Sequence, residues 1–120
     1  MARILIVEDE ANILKLVSVN LEARGHEVIG AEDGREGLAR LRDALPEVLL
    51  LDIKLPDMSG WELLKIISAD PTYPQIPVIV ITASLNSANQ DYRLYKNLRK
   101  VLVKPLSVQE LTREVKGALN

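Results

Sequence analysis

The sequence predicts a single doubly wound α/β domain, in which a five-stranded parallel sheet of (βα)5 order is covered by helices on both faces. Two observations lead to this prediction. Short apolar runs, rich in β-branched residues or in leucine, have the composition of strands buried on both faces of a sheet. Segments with apolar residues at helical spacing alternate with these runs. Right-handed crossovers then leave few arrangements other than a parallel sheet between two helical layers.

The apolar runs define the predicted strands. They lie near residues 3–7, 28–31, 48–51, 78–81 and 101–103. Four of the runs end in groups that can handle phosphate or a metal ion, namely the Glu8-Asp9 pair, Asp52, Thr82 and Lys104. Because parallel strands all point the same way, we expect these groups to lie along one edge of the sheet. That edge is where open α/β sheets place their sites.

Periodic apolar residues define the first two helices. One is predicted to end at Gly25 and the other before Pro46. Their helically spaced residues are Ile13, Leu14, Val17 and Leu21 in the first, and Leu38, Leu41 and Leu45 in the second.

Serine caps define the third and the last helix. Ser59 and Ser107 are each followed three residues later by a glutamate, which is the pattern of a capping box. The third helix is predicted to end before Pro71, and Trp61 near its start is expected to be partly exposed. A short helix is also predicted over 87–95, where a narrow apolar stripe lies among polar residues.

Length, composition and charge limit the possible functions. A chain of 120 residues with 48% hydrophobic content fits one domain over residues 1–120. No apolar stretch approaches the roughly 20 residues that span a bilayer, and no signal peptide is recognisable, so we expect a cytoplasmic protein without membrane contact. The lack of cysteine excludes disulfides, thiolate catalysis and cysteine zinc sites. Residues 1–70 carry a net charge of −6 and residues 71–120 one of +4.

The predicted edge combines three carboxylates with a hydroxyl and an ammonium group. Glu8, Asp9 and Asp52 would repel one another by a few kcal/mol at an effective dielectric constant of about 20, so a cation is expected among them. Magnesium is the usual choice where a few carboxylates share a site with water and phosphate oxygens. With Lys104 and Thr82 beside a single carboxylate nucleophile, this set suits a phosphoryl group.

The motifs together resemble the receiver domain of bacterial response regulators, a CheY-like, flavodoxin-like fold. The resemblance covers the chain from Arg3 to about Leu119. The matching motifs are Glu8-Asp9, Asp52, Leu55-Pro56-Asp57-Met58-Ser59-Gly60, Thr82-Ala83 and Lys104-Pro105. Each dipeptide alone is common, but all of them in this order, each at a strand end, form a specific pattern.

The resemblance implies a role for each matching residue. Asp52 is implied as the phosphoacceptor that attacks phosphorus and becomes an acyl phosphate. The magnesium ligands are implied to be Glu8, Asp9, Asp52 and the backbone carbonyl of Lys54. Thr82 would donate to one phosphoryl oxygen and Lys104 would pair with another. The Lys104-Pro105 bond is cis in the family.

The implied function is that of a conformational switch. A sensor histidine kinase or histidine phosphotransfer protein would donate the phosphoryl group to Asp52, and hydrolysis of the acyl phosphate would end the signal. The protein would catalyse its own phosphorylation and dephosphorylation, so it is not a conventional enzyme. The alternative is a receiver-like interaction module that works without phosphorylation. A small nucleotide binder is a third class, but it would need a phosphate-cradling loop after a strand, and none is visible.

Two departures from the family pattern concern the output of the switch. Val101 stands where the family usually has a tyrosine or phenylalanine that turns inward when Thr82 moves. Neither Tyr92 nor Tyr95 occupies the matching position. Arg99 and Lys100 reverse the acidic charge usual on the fifth strand, which argues against the dimer of DNA-binding members. We therefore expect a monomer without direct DNA binding. The chain also has a predicted basic surface, which would contact an acidic protein partner or simply be solvated. It consists of Arg93, Lys96, Arg99 and Lys100.

Overall fold

The computed structural model describes residues 2–73, 75–83 and 95–120 and contains a five-stranded, fully parallel sheet in the order β2-β1-β3-β4-β5. The strands are β1 (Arg3–Val7), β2 (Glu27–Ala31), β3 (Val48–Asp52), β4 (Val78–Thr82) and β5 (Leu98–Val103). The helices are α1 (Ala11–Glu22), α2 (Gly34–Ala44), α3 (Gly60–Ala69) and α4 (Val108–Leu119). Both the strand order and the alternation of elements confirm the predicted doubly wound fold.

The strand ends lie where the apolar runs predicted them, with one larger difference. Strand β5 begins at Leu98, three residues before the predicted start. Arg99 and Lys100 therefore belong to the strand, and Lys100 pairs with Ile79. Charged residues are tolerated in β5 because it is an edge strand of the sheet. Arg99 and Lys100 are both exposed.

The strands have continuous apolar runs because a hydrophobic core lies on each face of the sheet. In β1, Leu5 and Val7 join one cluster, which α2 and α3 cover, while Ile4 and Ile6 join the other, which α1 and α4 cover. The apolar side chains of β3 are divided between the two clusters in the same way, because successive strand side chains point to opposite faces. A strand covered on both sides needs apolar residues at every position.

The predicted serine caps are present, and they differ in detail. The Ser107 side chain accepts from the Glu110 N–H, as in the predicted capping box. The Ser59 side chain accepts from the Trp61 N–H, one residue earlier than the box predicts. The predicted helix over 87–95 falls almost entirely on residues 84–94, which lie outside the described residues.

Trp61 is buried rather than partly exposed, with 6% of its surface accessible. Its ring stacks on Tyr95 with a centroid distance of 6.0 Å and an interplanar angle of 23°. The expectation of partial exposure was wrong because it considered only the position of Trp61 at a helix start. The stacking partner follows β4 in the chain, and only the tertiary structure brings it to α3.

No helix in the described part of the chain is long and apolar enough to cross a bilayer.

Leu45, which ends α2, provides a test of local backbone strain. It has φ 49° and ψ 59°, a left-handed conformation that side chains with a Cβ rarely adopt, and it is 63% exposed. Leu45→Gly should raise the free energy of unfolding by up to about 1 kcal/mol, since glycine removes the strain and little buried surface is lost. Urea denaturation measures this. Leu45→Ala is the matched control, because alanine keeps the Cβ and should bring no gain; an equal gain would contradict the explanation.

Candidate functional site

Asp52 occupies the end of the central strand β3 and is almost completely buried, with 2% of its surface accessible. Its carboxylate accepts a hydrogen bond at Oδ1 from the Lys54 N–H, at 3.2 Å. Helix α3 begins directly against this strand end, and the Gly60 N–H donates to the Ile53 carbonyl at 2.7 Å. A Cβ on Gly60 would collide with the Asp52 carbonyl oxygen, so this close approach requires glycine. The carboxylate therefore projects from a rigid support.

Lys104 brings a positive charge to this carboxylate from the end of β5. Its backbone N–H donates to the Thr82 carbonyl at 2.8 Å, and its bond to Pro105 is cis, as the resemblance implied. The Nζ atom lies 3.1 Å from Asp52 Oδ2 and donates a hydrogen bond to it. Asp52 and Lys104 are far apart in sequence, and the parallel sheet brings them together as predicted.

Glu8 provides a second buried carboxylate beside the pair. It is 1% exposed, and its Oε2 accepts from the Glu10 N–H at 3.1 Å. Its Oε1 lies 3.3 Å from Lys104 Nζ, within ion-pair distance, but the alignment is too poor for a hydrogen bond. A buried carboxylate oxygen without a hydrogen bond is costly, and a ligand or cation would satisfy it.

A third carboxylate, that of Glu10, was not predicted to take part. Its Oε1 accepts from Lys104 Nζ at 3.3 Å. Oxygens of Glu8, Glu10 and Asp52 lie within 4.8 Å of one another and form a group that could hold a metal ion. Asp9 is exposed and does not belong to this group. The sequence prediction included only the pair Glu8-Asp9 after β1. Glu10, which follows this pair and precedes α1, is also acidic and could have been included on the same grounds.

The pKa values of Glu8 and Lys104 are both raised at this site, for different reasons. Burial raises the pKa of Glu8 to about 7, with further increases from the hydrogen bond that protonated Glu8 donates to Asp52 and from the negative charge of Asp52. Burial alone would lower the pKa of Lys104, but the hydrogen bond and charge of Asp52, with the charge of Glu8, outweigh it and hold this pKa above its usual value. Lys104 thus stays an ammonium group.

Thr82 and the loop after Asp52 line a cavity next to the strand ends. Thr82 ends β4 and is buried, with 1% of its surface accessible. A cavity of about 590 Å³ is lined by residues 53–59, Thr82 and Ala83. Lys54 lies in this loop and is exposed, and its N–H is the group that contacts Asp52.

Asp57 anchors the loop to α2. Its two carboxylate oxygens accept from the Gly34 and Arg35 N–H groups at 2.7 and 2.9 Å. The hydrogen bond from Gly34 lowers the pKa of Asp57, which therefore stays ionised. Asp57 was predicted only as part of a motif. In the structure it holds the loop after Asp52 against the first turn of α2.

Comparisons with known proteins point to one family. The chain matches the family model of the response regulator receiver domain over residues 4–116. It is 32% identical to protein PilH of Pseudomonas aeruginosa, over 99% of this chain and 98% of PilH. It is 36% identical to the phosphate regulon transcriptional regulatory protein PhoB of the same species, over 97% of this chain and 51% of PhoB, so it spans about half the length of that relative.

A solved structure agrees with this grouping. The response regulator protein TrrA of Thermotoga maritima, in complex with Mg(2+)-BeF, superimposes with a TM-score of 0.86. The two sequences are 30% identical, and the match covers 99% of this chain and 100% of that chain.

The raised pKa of Glu8 predicts a pH-dependent stability for the metal-free protein. Because the folded-state pKa of about 7 exceeds the ordinary value of 4.5, the contribution of protonated Glu8 is complete below about pH 4.5 and is lost as the pH rises through about 7. Glu8→Gln imitates the protonated group, so it should stabilise the protein by about 1 to 3 kcal/mol at high pH.

Urea denaturation in a chelator at pH 5 and pH 8 measures this effect. The gain of Glu8→Gln over the parent should be clear at pH 8 and small at pH 5. Exposed Glu47, whose Oε1 accepts from the Arg3 N–H at 3.4 Å, provides the control Glu47→Gln, which should not show this pH dependence. A gain that is the same at both pH values would mean that Glu8 is ionised throughout.

Proposed function

The chain belongs to the response regulator receiver domain family, and on that premise we propose that Asp52 is the residue that accepts the phosphoryl group. Proteins of this family are phosphorylation-dependent switches, and this chain is one of them. The observation that carries the assignment is the contact of the buried Asp52 carboxylate with Lys104 Nζ at 3.1 Å. It holds a nucleophile and a phosphate-binding cation together at the edge where both strands end.

The reaction is an in-line phosphoryl transfer. An oxygen of Asp52 forms a bond to phosphorus while the bond from phosphorus to the donor breaks, and the donor leaves with the electron pair. The donor is a phosphohistidine of a sensor kinase or a phosphotransfer protein. Lys104 offsets negative charge on a phosphoryl oxygen, and the backbone support from Gly60 keeps Asp52 in place.

The carboxylates also fit a magnesium ion. Oxygen ligands are what this hard cation prefers, and the Glu8 Oε1 atom is buried without a hydrogen bond. We propose Glu8 and Asp52 as ligands because they belong to the converging group of carboxylates. Asp9 and the Lys54 carbonyl are proposed from the resemblance alone, with some contacts made through water. When bound, magnesium neutralises charge on the transferred group. TrrA, the relative of known structure, was crystallised with Mg(2+)-BeF, which supports the assignment by similarity.

Hydrolysis resets the switch. Water attacks phosphorus, the bond from phosphorus to the Asp52 oxygen breaks, and the free carboxylate returns with inorganic phosphate. Asp52 then pairs with Lys104 again, as in the present structure. The residues that stabilise charge during phosphoryl acceptance also do so during hydrolysis. Acceptance and hydrolysis pass through a similar arrangement of oxygens at phosphorus.

Thr82 is proposed to transmit the change. It ends β4 beside the cavity, and its hydroxyl would donate to a phosphoryl oxygen, which favours a state with Thr82 drawn toward Asp52. Val101 pairs with Val80 of β4 and packs against the core cluster that contains Tyr95 and Trp61. We propose that this cluster, rather than an aromatic residue at position 101, receives the shift.

The edge strand β5 offers a surface for the output partner. Arg99 and Lys100 are exposed on this strand and Lys96 is exposed just before it, while Arg93 lies outside the described residues. A protein partner with an acidic surface would complement this charge. DNA contact by the chain itself is not proposed, and we propose that the chain is monomeric and cytoplasmic.

Asp52→Asn should abolish phosphorylation. The parent is incubated with magnesium and acetyl phosphate, and intact mass spectrometry should show one added phosphoryl group; with the variant or with a chelator there should be none. Asp43→Asn, which changes an exposed residue of α2, is the control and should react like the parent. A folded parent that never forms the adduct would point instead to an interaction module that works without phosphorylation.

Val101→Ala should leave phosphorylation intact. The side chain is half-buried in the core and does not contact Asp52, so the loss should be confined to stability, at about 1 kcal/mol. Acetyl phosphate labelling and urea denaturation measure the two quantities. Loss of labelling in a folded Val101→Ala variant would show that β5 is coupled to the acceptor more directly than its packing indicates.

A further inference from the structure

Glu10 is held in a defined position beside the proposed acceptor, although its side chain is largely exposed. Its N–H donates to Glu8 Oε2 at 3.1 Å, and its carbonyl accepts from the Leu14 N–H at 3.0 Å as α1 begins. The backbone is thus fixed on both sides. From there the side chain reaches Lys104, which is 94 residues later in the chain, and accepts a hydrogen bond at 3.3 Å.

Lys104 has three N–H groups and three carboxylate neighbours. Asp52 and Glu10 accept hydrogen bonds from Nζ, whereas Glu8 Oε1, at the same 3.3 Å as Glu10, does not. The ammonium therefore donates to Asp52 and to Glu10 at the same time. Of the two acceptors, Glu10 lies at the solvent side, with its side chain 60% exposed against 3% for Asp52.

Resting on the proposed function, we propose that Glu10 is a positioning residue that competes with the incoming phosphoryl oxygen for the Lys104 ammonium. As the bond from Asp52 to phosphorus forms and the bond to the donor breaks, Lys104 must direct an N–H toward a phosphoryl oxygen. The hydrogen bond to Glu10 opposes this movement. Glu10 thus slows acceptance and favours the unphosphorylated state of the switch.

The same residue could act in two other ways, as a metal ligand or as a solvated charge. A metal ligand would share the ion with Glu8 and Asp52, whose oxygens lie within 4.8 Å of its own. A solvated charge would merely repel an anionic donor. The observed hydrogen bond to Nζ favours positioning, and each of the three roles predicts a different response to substitution.

The first measurement is the initial rate of phosphorylation by acetyl phosphate at saturating magnesium and low ionic strength. Glu10→Gln should accelerate acceptance about two- to fivefold, which is the range that exposed ion pairs support. Glu10→Asp retains the charge but is one methylene shorter, so it should also be faster than the parent. The acceleration should shrink in ~0.5 M salt, because salt screens an exposed pair.

Glu32→Gln is the matched control for charge. Glu32 is exposed and directly follows β2, at the same edge of the sheet, and it is not part of the three-carboxylate group. Its substitution should leave the rate unchanged. If Glu32→Gln accelerates acceptance as Glu10→Gln does, or if Glu10→Asp behaves like the parent, repulsion of the donor explains the effect and the proposal is wrong.

The magnesium dependence separates positioning from ligation. The magnesium concentration at half-maximal rate should be the same for Glu10→Gln and the parent. A several-fold increase in this concentration, with a slower reaction, would make Glu10 a metal ligand and overturn the proposal.

A further readout does not involve phosphorylation. Thermal unfolding of Glu10→Gln, Lys104→Met and the double variant in a chelator forms a double-mutant cycle. The shifts in Tm should be non-additive by ~1–3 °C, and additive shifts would show that the contact contributes nothing. If the parent takes no phosphoryl group, the proposed function fails and this role fails with it. If the parent reacts and Glu10→Gln reacts at the same rate, only the role of Glu10 is refuted.

Discussion

The ammonium group of Lys104 is the interaction on which the polar edge of the sheet depends. Glu8 and Asp52 are buried there, and burial of unpaired charges costs several kcal/mol per ion. Nζ lies within 3.3 Å of both carboxylates and of Glu10, and this cluster raises the pKa of Lys104 and keeps it charged. Burial, with the neighbouring Asp52, raises the pKa of Glu8. One cation cannot neutralise three carboxylates, so a divalent ion also fits this edge.

The hydrophobic cores on the two faces of the sheet fix the polar groups at that edge in position. Every residue of β3 is buried, so Asp52 emerges from a strand without freedom to shift along its axis. Gly60 lets α3 begin against the strand end, and Asp57 ties the following loop to the first turn of α2. Charge interactions are stronger where water is excluded, so the same packing that stabilises the fold strengthens the contact between Asp52 and Lys104.

The proposed reaction and the proposed output use different parts of this framework. The groups proposed to react lie on strand ends that the core fixes, while Thr82 ends β4 and lines the cavity. Tyr95 packs into the core by stacking on Trp61, which lies two residues after the N-cap Ser59. In the proposed function, a shift at Thr82 would reach β5 through this packing. The absence of an aromatic residue at position 101 is compatible with such a route.

The sequence by itself determined the fold, the sheet edge and three of the converging side chains, Glu8, Asp52 and Lys104. It could do so because parallel strands share one polarity, and apolar runs mark where strands end. Only the tertiary structure decided that Glu10 reaches Lys104, that Asp57 binds the first turn of α2 and that Trp61 is buried against Tyr95. These contacts depend on the direction of individual side chains and on packing between distant segments, which periodicity along the chain does not encode.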